Sequence, residues 1–357
     1  MKISFWVGCL GVFLTQSVHS VPLEKRHDPN SEYFIDYLYL DKILEGSVLD
    51  IGPSTHRPPK RKVTKTTGSR VQVGNVRITR QEGNRVMLHA FKEAEIDFLN
   101  TLRDELLAIP ASLPLAKLSR NEQLAYWLNL YTTIVLAEIA EQYPVTRLEP
   151  LFDLDDPDAF VNHAQFQLAG QPITLADIEE HVSTNWNDPV VIYGFYMGAV
   201  GTPNIRTSAF RGKDVYNQLR ENAVDFVNSM RGTQIWNPSK LLVSNYYRRM
   251  SHYFPDFENG IQRHIKEYAK PSFKRRLVTV RDVSAKIDDW NIADLYNGNL
   301  AEPGGNYPRI TKDQFGVSYK LRLPLHAVRL LRDREIKFIR QRAKVEVEEL
   351  PSRDNPD

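Results

Sequence analysis

Six polar residues, Asn129, Tyr131, Glu179, Asp188, Arg206 and Asp289, hold the side-chain types from which chemistry could be built. Three arrangements are open to them. In the first, an Asp or Glu activates a water for hydrolysis, a step that needs no thiol. In the second, they line a pocket with Trp127, Tyr131 and the 198–203 loop, where Arg206 receives an anionic ligand group through its planar fork. The third needs no ligand. A buried Asn must satisfy several donors and acceptors, and a buried carboxylate needs an Arg or an equivalent. The same residues would then tie helix, strand and loop together in a core.

The familiar signatures of nucleotide and hydrolase chemistry are absent. The chain has no Walker loop, no G-x-S-x-G elbow, no H-E-x-x-H and no dinucleotide fingerprint. His252, Asp256, Glu258 and His264 are near in sequence but lack a recurrent ligand spacing, and solvent-facing positions around Pro255 account for them. The acidic run Asp153, Asp155, Asp156 and Asp158 lacks the glycine and distal glutamate of an EF-hand loop. Neither a metal nor a cofactor is expected.

The single cysteine, Cys9, lies in the apolar stretch that opens the chain. Residues 1–20 combine a basic start at Lys2, an apolar run through Leu14 and small residues at Val18 and Ser20 ahead of Val21. This pattern reads as a secretory signal, too short to span a bilayer. Its removal would leave a cysteine-free chain without disulfides, thiolate catalysis or Cys-ligated metal, suited to an oxidising compartment. An exported destination is expected, either a bacterial periplasm or secretion, with no membrane span in the remainder. The 357 residues are 42% apolar and 25% charged, an ordinary globular composition. A formal charge of +2 excludes recognition of nucleic acid by net charge.

The elements that must position the polar set can be read from periodicity. A dense apolar pattern over 31–44 predicts a buried helix before Gly46, and residues 53–70 read as a solvated basic linker. Val71, Val73, Val76 and Ile78 alternate around Gly74-Asn75. With 85–89 following Gly83-Asn84, they predict a small three-stranded meander. A helix over 91–109 stops at Pro110. The next begins at Ser119, where Ser119 and Glu122 form a capping box, and its two faces carry almost no charge before Glu138. That makes it the central helix, with Asn129 inside it. Further along, 163–168 reads as a strand, Thr174 and Asp177 open another capped helix, and 190–195 has the length of a buried strand leading into a glycine loop. An amphipathic helix spans 214–228, strands cover 277–280 and 317–323, a basic helix covers 324–342, and 345–357 is a frayed tail.

Three stretches resemble one family, the uncharacterised group known as domain of unknown function 547. Ala125-Tyr-Trp-Leu-Asn-Leu-Tyr131 is similar to its Trp-x-Asn-x-Tyr-Asn helix. Residues 175–179, then Asp188-Pro189 and the glycine loop to Arg206, resemble the middle of the family pattern, and Asp289-Trp290 its closing Asp-Trp. The resemblance runs from about residue 81 to 293. It implies two loop cysteines before the Arg, where this chain has Met197 and Thr202; Thr132 replaces the second Asn of the helix motif, and Val190 an expected basic residue.

The expected fold is α+β and helix-rich, with one main domain over 81–295. Peripheral segments would lie at 21–80 and 296–344. The expected function is an exported non-catalytic protein that binds a small molecule or peptide, or a degenerate relative of a cysteine-bearing family. The alternative is a carboxylate-dependent hydrolase of the cell envelope. The candidate pocket or polar network comprises Trp127, Asn129, Tyr131, Glu179, Asp188, Met197, Thr202, Arg206, Asp289 and Trp290.

Overall fold

The computed structural model of the chain describes residues 23, 25–56, 82–163, 166–298, 327 and 330–339. The expected signal, most of the basic linker, the first two meander strands, the 317–323 strand and the tail lie outside these residues. The architecture is α+β and helix-rich. Helix α3 (Arg120–Gln142) forms its centre, and eighteen of its side chains are buried. Such all-round burial is possible because almost nothing on either face is charged before Glu138. Around it pack α2 (Glu93–Ser112), α4 (Leu175–Asn185) and α5 (Val215–Val227).

The capping logic at α3 is only half as expected. The Ser119 hydroxyl accepts from the Glu122 backbone N–H, but the Glu122 carboxylate does not close the box. Its Oε1 accepts from Ile35 N at 3.0 Å and its Oε2 from Gly212 N at 3.1 Å, joining the N-terminal segment and the loop before α5 to the helix start. Gly212 must be glycine for this approach, since a Cβ there would lie 2.7 Å from the Glu122 Cα. At α4 the box is complete, with Thr174 and Asp177 each satisfying the other's backbone.

Pro110 does not end α2, which continues to Ser112. A proline inside a helix deprives the carbonyl four residues earlier of its donor. Here that carbonyl belongs to Leu106, and the Tyr126 hydroxyl of α3 donates to it at 3.0 Å. The lost bond is replaced by a contact between helices. The 190–195 run is likewise not a strand: Pro189–Gly194 is a 3-10 helix, started by Pro189 and by the Asp188 side chain accepting from Val190 N. Full burial explains the unbroken apolar pattern that a buried strand would share.

Three further corrections concern the sheets and the ends of the chain. Helix α1 (Leu38–Ser47) starts later than expected and runs past Gly46. The Arg85–Val86 strand (β2) pairs antiparallel with Val48–Leu49 (β1), whereas His89 lies in a 3-10 turn. Leu277–Thr279 is also 3-10; the strand is Asp282–Ile287 (β7), parallel to Lys240–Ser244 (β6), which pairs antiparallel with Thr233–Asn237 (β5). A small hairpin, Phe166–Leu168 (β3) with Gln171–Ile173 (β4), packs on α2.

Three short helices, α6 (Asn245–Arg249), α7 (Phe257–Tyr268) and α8 (Pro271–Arg276), make the crossover from β6 to β7. His264 is therefore not solvent-facing. It is buried on α7, stacked parallel on Tyr193 at 5.6 Å, and its Nε2 lies 2.9 Å from the Tyr193 hydroxyl. Burial pushes its imidazole down to about 4.

Asn129 on α3 uses both polar atoms of its amide. Its Nδ2 donates to Phe210 O at 2.9 Å and its Oδ1 accepts from Phe210 N at 2.8 Å, so one amide closes a two-bond ring with the loop backbone. Replacing Asn129 by Leu leaves both backbone groups buried without partners. The variant is expected to lose about 1–3 kcal/mol per unsatisfied group, read as a lower denaturation midpoint with an unchanged slope.

Candidate functional site

The ten sequence-selected residues fall into separate groups. Tyr131 and Glu179 meet directly: the Tyr131 hydroxyl donates to Glu179 Oε1 at 2.8 Å. Burial first, then the adjacent Glu179, pushes the phenol well above its ordinary range, so it stays protonated and can only donate to that oxygen. The cation that balances Glu179 is Arg249, at the end of α6. Its Nη2 donates to both carboxylate oxygens, at 2.8 and 3.0 Å. Burial opposes the charge on Arg249, but Glu179 and Tyr131 outweigh it and raise its pKa above the usual arginine value. Its Nη1 donates to Phe152 O, and the Phe152 ring stacks on Trp290 at 6.0 Å.

Met197, Thr202, Asp289 and Trp290 form a second group, joined through the backbone. The 198–201 loop runs beside 289–293: Gly201 N donates to Asp289 O and Val200 N to Asn291 O, both at 2.8 Å, and Ala293 N donates to Gly198 O at 2.7 Å. A Cβ on Gly201 would lie 2.9 Å from Asp289 O, which fixes glycine there. The loop and the Asp-Trp pair, distant in sequence, thus meet as paired backbones. Met197 is fully buried and Thr202 nearly so, and the Thr202 hydroxyl turns back to Ala199 O at 2.9 Å. In place of a pocket lining, the 198–203 loop is closed and internally bonded at Thr202. Asp289 is buried and accepts from Asn291 Nδ2.

The remaining members stand apart. Arg206 does not meet Asp188 or Asp289; its Nη2 donates to Glu221 at 2.9 Å and its Nη1 to Gln218 O at 3.0 Å, both on α5. Asp188 is exposed and serves as the cap described above. Trp127 is fully buried in ring contact with His181, centroids 4.8 Å apart.

Arg249 is the functional side chain that the sequence reading missed. A buried carboxylate demands an arginine or an equivalent, and Arg206 is the only arginine in the candidate set. Only the Tyr246-Tyr-Arg-Arg249 cluster signalled an alternative cation next to large apolar rings.

Among the described residues no group of three or more His, Cys, Asp or Glu could hold a metal ion, and no helix is long and apolar enough to cross a membrane. Two open grooves lie on the surface, the first bordered by Glu221, the partner of Arg206. One of about 490 Å³ follows α5 past Arg220, Glu221 and Asp225 to Lys270. The other, about 750 Å³, lies between α2 and the β3–β4 hairpin.

A helical core built on α3, with a closed glycine loop paired to a distant Asp-Trp, is the arrangement these motifs produce. Residues 115–227 match the family described as Protein of unknown function, DUF547. The matched segment includes α3, α4, the glycine loop and α5, and the description assigns no activity. No curated protein and no solved structure matches the chain.

The Glu179–Arg249 pair is buried on both sides, so loss of one partner leaves an uncompensated charge. Glu179→Gln and Arg249→Met are each expected to destabilise by about 3–5 kcal/mol. The apolar double variant Glu179→Leu with Arg249→Met should recover most of that loss, measured as coupling in a double-mutant cycle with Glu179→Leu and Arg249→Met as its single variants.

Proposed function

We propose that this chain is an exported, non-catalytic binding protein for a small molecule or peptide, a degenerate relative of a cysteine-bearing family. The observation that carries the reading is the engagement of every charged member of the candidate set. Glu179 is held by Arg249 and Tyr131, Arg206 by Glu221 and the α5 backbone, Asp188 by the helix start it caps, and Asp289 by Asn291. A general base must reach a substrate proton or its water with a lone pair to spare. Glu179 spends three of its roughly four acceptor sites on Arg249 and Tyr131.

The loop positions where the family resemblance implies thiols support the same reading. Met197 and Thr202 are enclosed, and neither side chain can act as a thiolate. The signal-like start of the chain, with its basic Lys2 and apolar run, supports export.

The carboxylate-hydrolase alternative makes a different prediction. Purified protein incubated with cell-envelope glycans and peptides, with products followed by mass spectrometry, is expected to release nothing above the blank. Turnover that is lost in a folded Glu179→Gln or Asp289→Asn variant would overturn the binding role.

A further inference from the structure

At one end of the β5–β6–β7 sheet two apolar side chains stand largely in water: Trp236 is 72% exposed and Val278 77%. Hydrogen bonds at the tip of the β5–β6 hairpin bring them together. The Thr279 hydroxyl donates to Pro238 O at 2.6 Å, and Arg281 N and Asp282 N both donate to Ser239 O, at 2.8 and 3.0 Å. Val278 precedes Thr279 and Trp236 lies two residues before Pro238, so both belong to one joined turn.

The local structure turns both residues outward. Ile235 pairs with Leu241 and Asn237 with Lys240, which leaves Trp236 as the extra residue of a β-bulge, a device that re-aims a side chain. Asn237 Oδ1 accepts from both Ser239 N and Ser239 Oγ at 3.0 Å and stiffens the turn beside it. On the other side, buried Phe273 and Leu277 seat α8 and the 3-10 turn that follows it. Val278 comes four residues after Lys274 and three after Arg275, spacings that put all three on the face turned to water.

That face is cationic. Residues 270–281 carry five Lys or Arg and no Asp or Glu. Lys274, Arg275, Arg276 and Arg281 are exposed, and none forms an ion pair with another described residue. The chain turns acidic only at Asp282, which is paired with Lys240 in the parallel register.

The chemistry of the tip separates its possible partners. A protein interface of standard size buries about 800 Å² per partner around an apolar core depleted in charge, and two apolar side chains among four cations make no such core. Single-stranded nucleic acid is held by successive aromatic platforms, and Val278 has no π face. A phospholipid surface asks for what is present: an indole suited to the headgroup level, an aliphatic side chain for the acyl boundary, and cations for anionic headgroups.

We propose that Trp236 and Val278, with Lys274, Arg275, Arg276 and Arg281, form a docking surface for an anionic phospholipid membrane. The formal charge of +2 on the whole chain does not oppose this, because the field of exposed charges is local, screened over about 8 Å at physiological salt. The surface shares no residue with the candidate set and goes beyond the ligand-binding role, so either can fail alone.

The test uses the full chain with vesicles of brominated phosphatidylcholine mixed equally with phosphatidylglycerol, against vesicles of the brominated phosphatidylcholine alone. Bromine quenches an indole that reaches the acyl boundary. Subtracting the emission of Trp236→Phe isolates Trp236 from the other tryptophans, Trp6 of the opening apolar run included. That difference is expected to be quenched on the anionic vesicles and not on the neutral ones. Lys274→Glu, Arg275→Glu and Arg276→Glu combined should raise the lipid needed for half-quenching roughly tenfold or more, and Val278→Glu should raise it too.

All these positions are exposed, so an unchanged melting temperature separates lost docking from lost folding. Should a variant not fold, Trp236→Tyr replaces Trp236→Phe, and high salt on the wild type replaces the charge reversal. Equal quenching on both vesicles, or none on either, overturns the proposal. A Trp236 emission shifted by a single-stranded oligonucleotide but not by vesicles also overturns it, and makes nucleic acid the partner.

Discussion

A helix buried on every face cannot leave its polar side chains to water, and this constraint on α3 organises the rest of the molecule. Its polar groups must find partners in other elements, and each partner brings a segment into register. Glu122 takes backbone donors from Ile35 and Gly212, and Gln123 donates to the carbonyls of Arg26 and Leu115. Asn129 closes a ring with Phe210, and Tyr131 reaches Glu179 and through it Arg249. One helix thereby fixes the N-terminal segment, the loop before α5, α4 and α6. Apolar burial drives these elements together non-specifically; the polar contacts select one arrangement among many.

The same constraint shapes what the protein can do. Carboxylates and guanidinia consumed in holding the core are not free to exchange protons with a substrate. Tyr131, Glu179 and Arg249 resemble a catalytic cluster in composition, yet their geometry is that of a closed ion pair with a phenol donor. The glycine loop tells a similar story. Its residues are bonded to the 289–293 backbone and to Ser244, whose hydroxyl donates to Gly201 O at 2.6 Å.

Much of α3 was legible because its signals are local or periodic: a serine cap, an unbroken apolar pattern and a lone asparagine that had to be bonded. Helices α4 and α5 were readable for the same reasons. The β5–β6–β7 sheet was not. Its strands are five or six residues long, Trp236 and Lys240 interrupt the apolar alternation, and the parallel pair needs a three-helix crossover that no local pattern announces. Glu122 shows the limit differently. A capping box is the local answer for its carboxylate, but two distant backbone donors compete for it and win. Arg206, the arginine of the glycine-loop motif, pairs with Glu221 on α5, a partner that no local pattern announces.

Native-state hydrogen exchange of the α3 amides, residues 124–139, tests this account most directly. If α3 holds the other elements in register, its amides exchange only through global unfolding, with the same free energy as denaturant melting and no smaller than that of any other element. Exchange of α3 through a local opening, at a free energy clearly below that of the β5–β7 sheet, would contradict it.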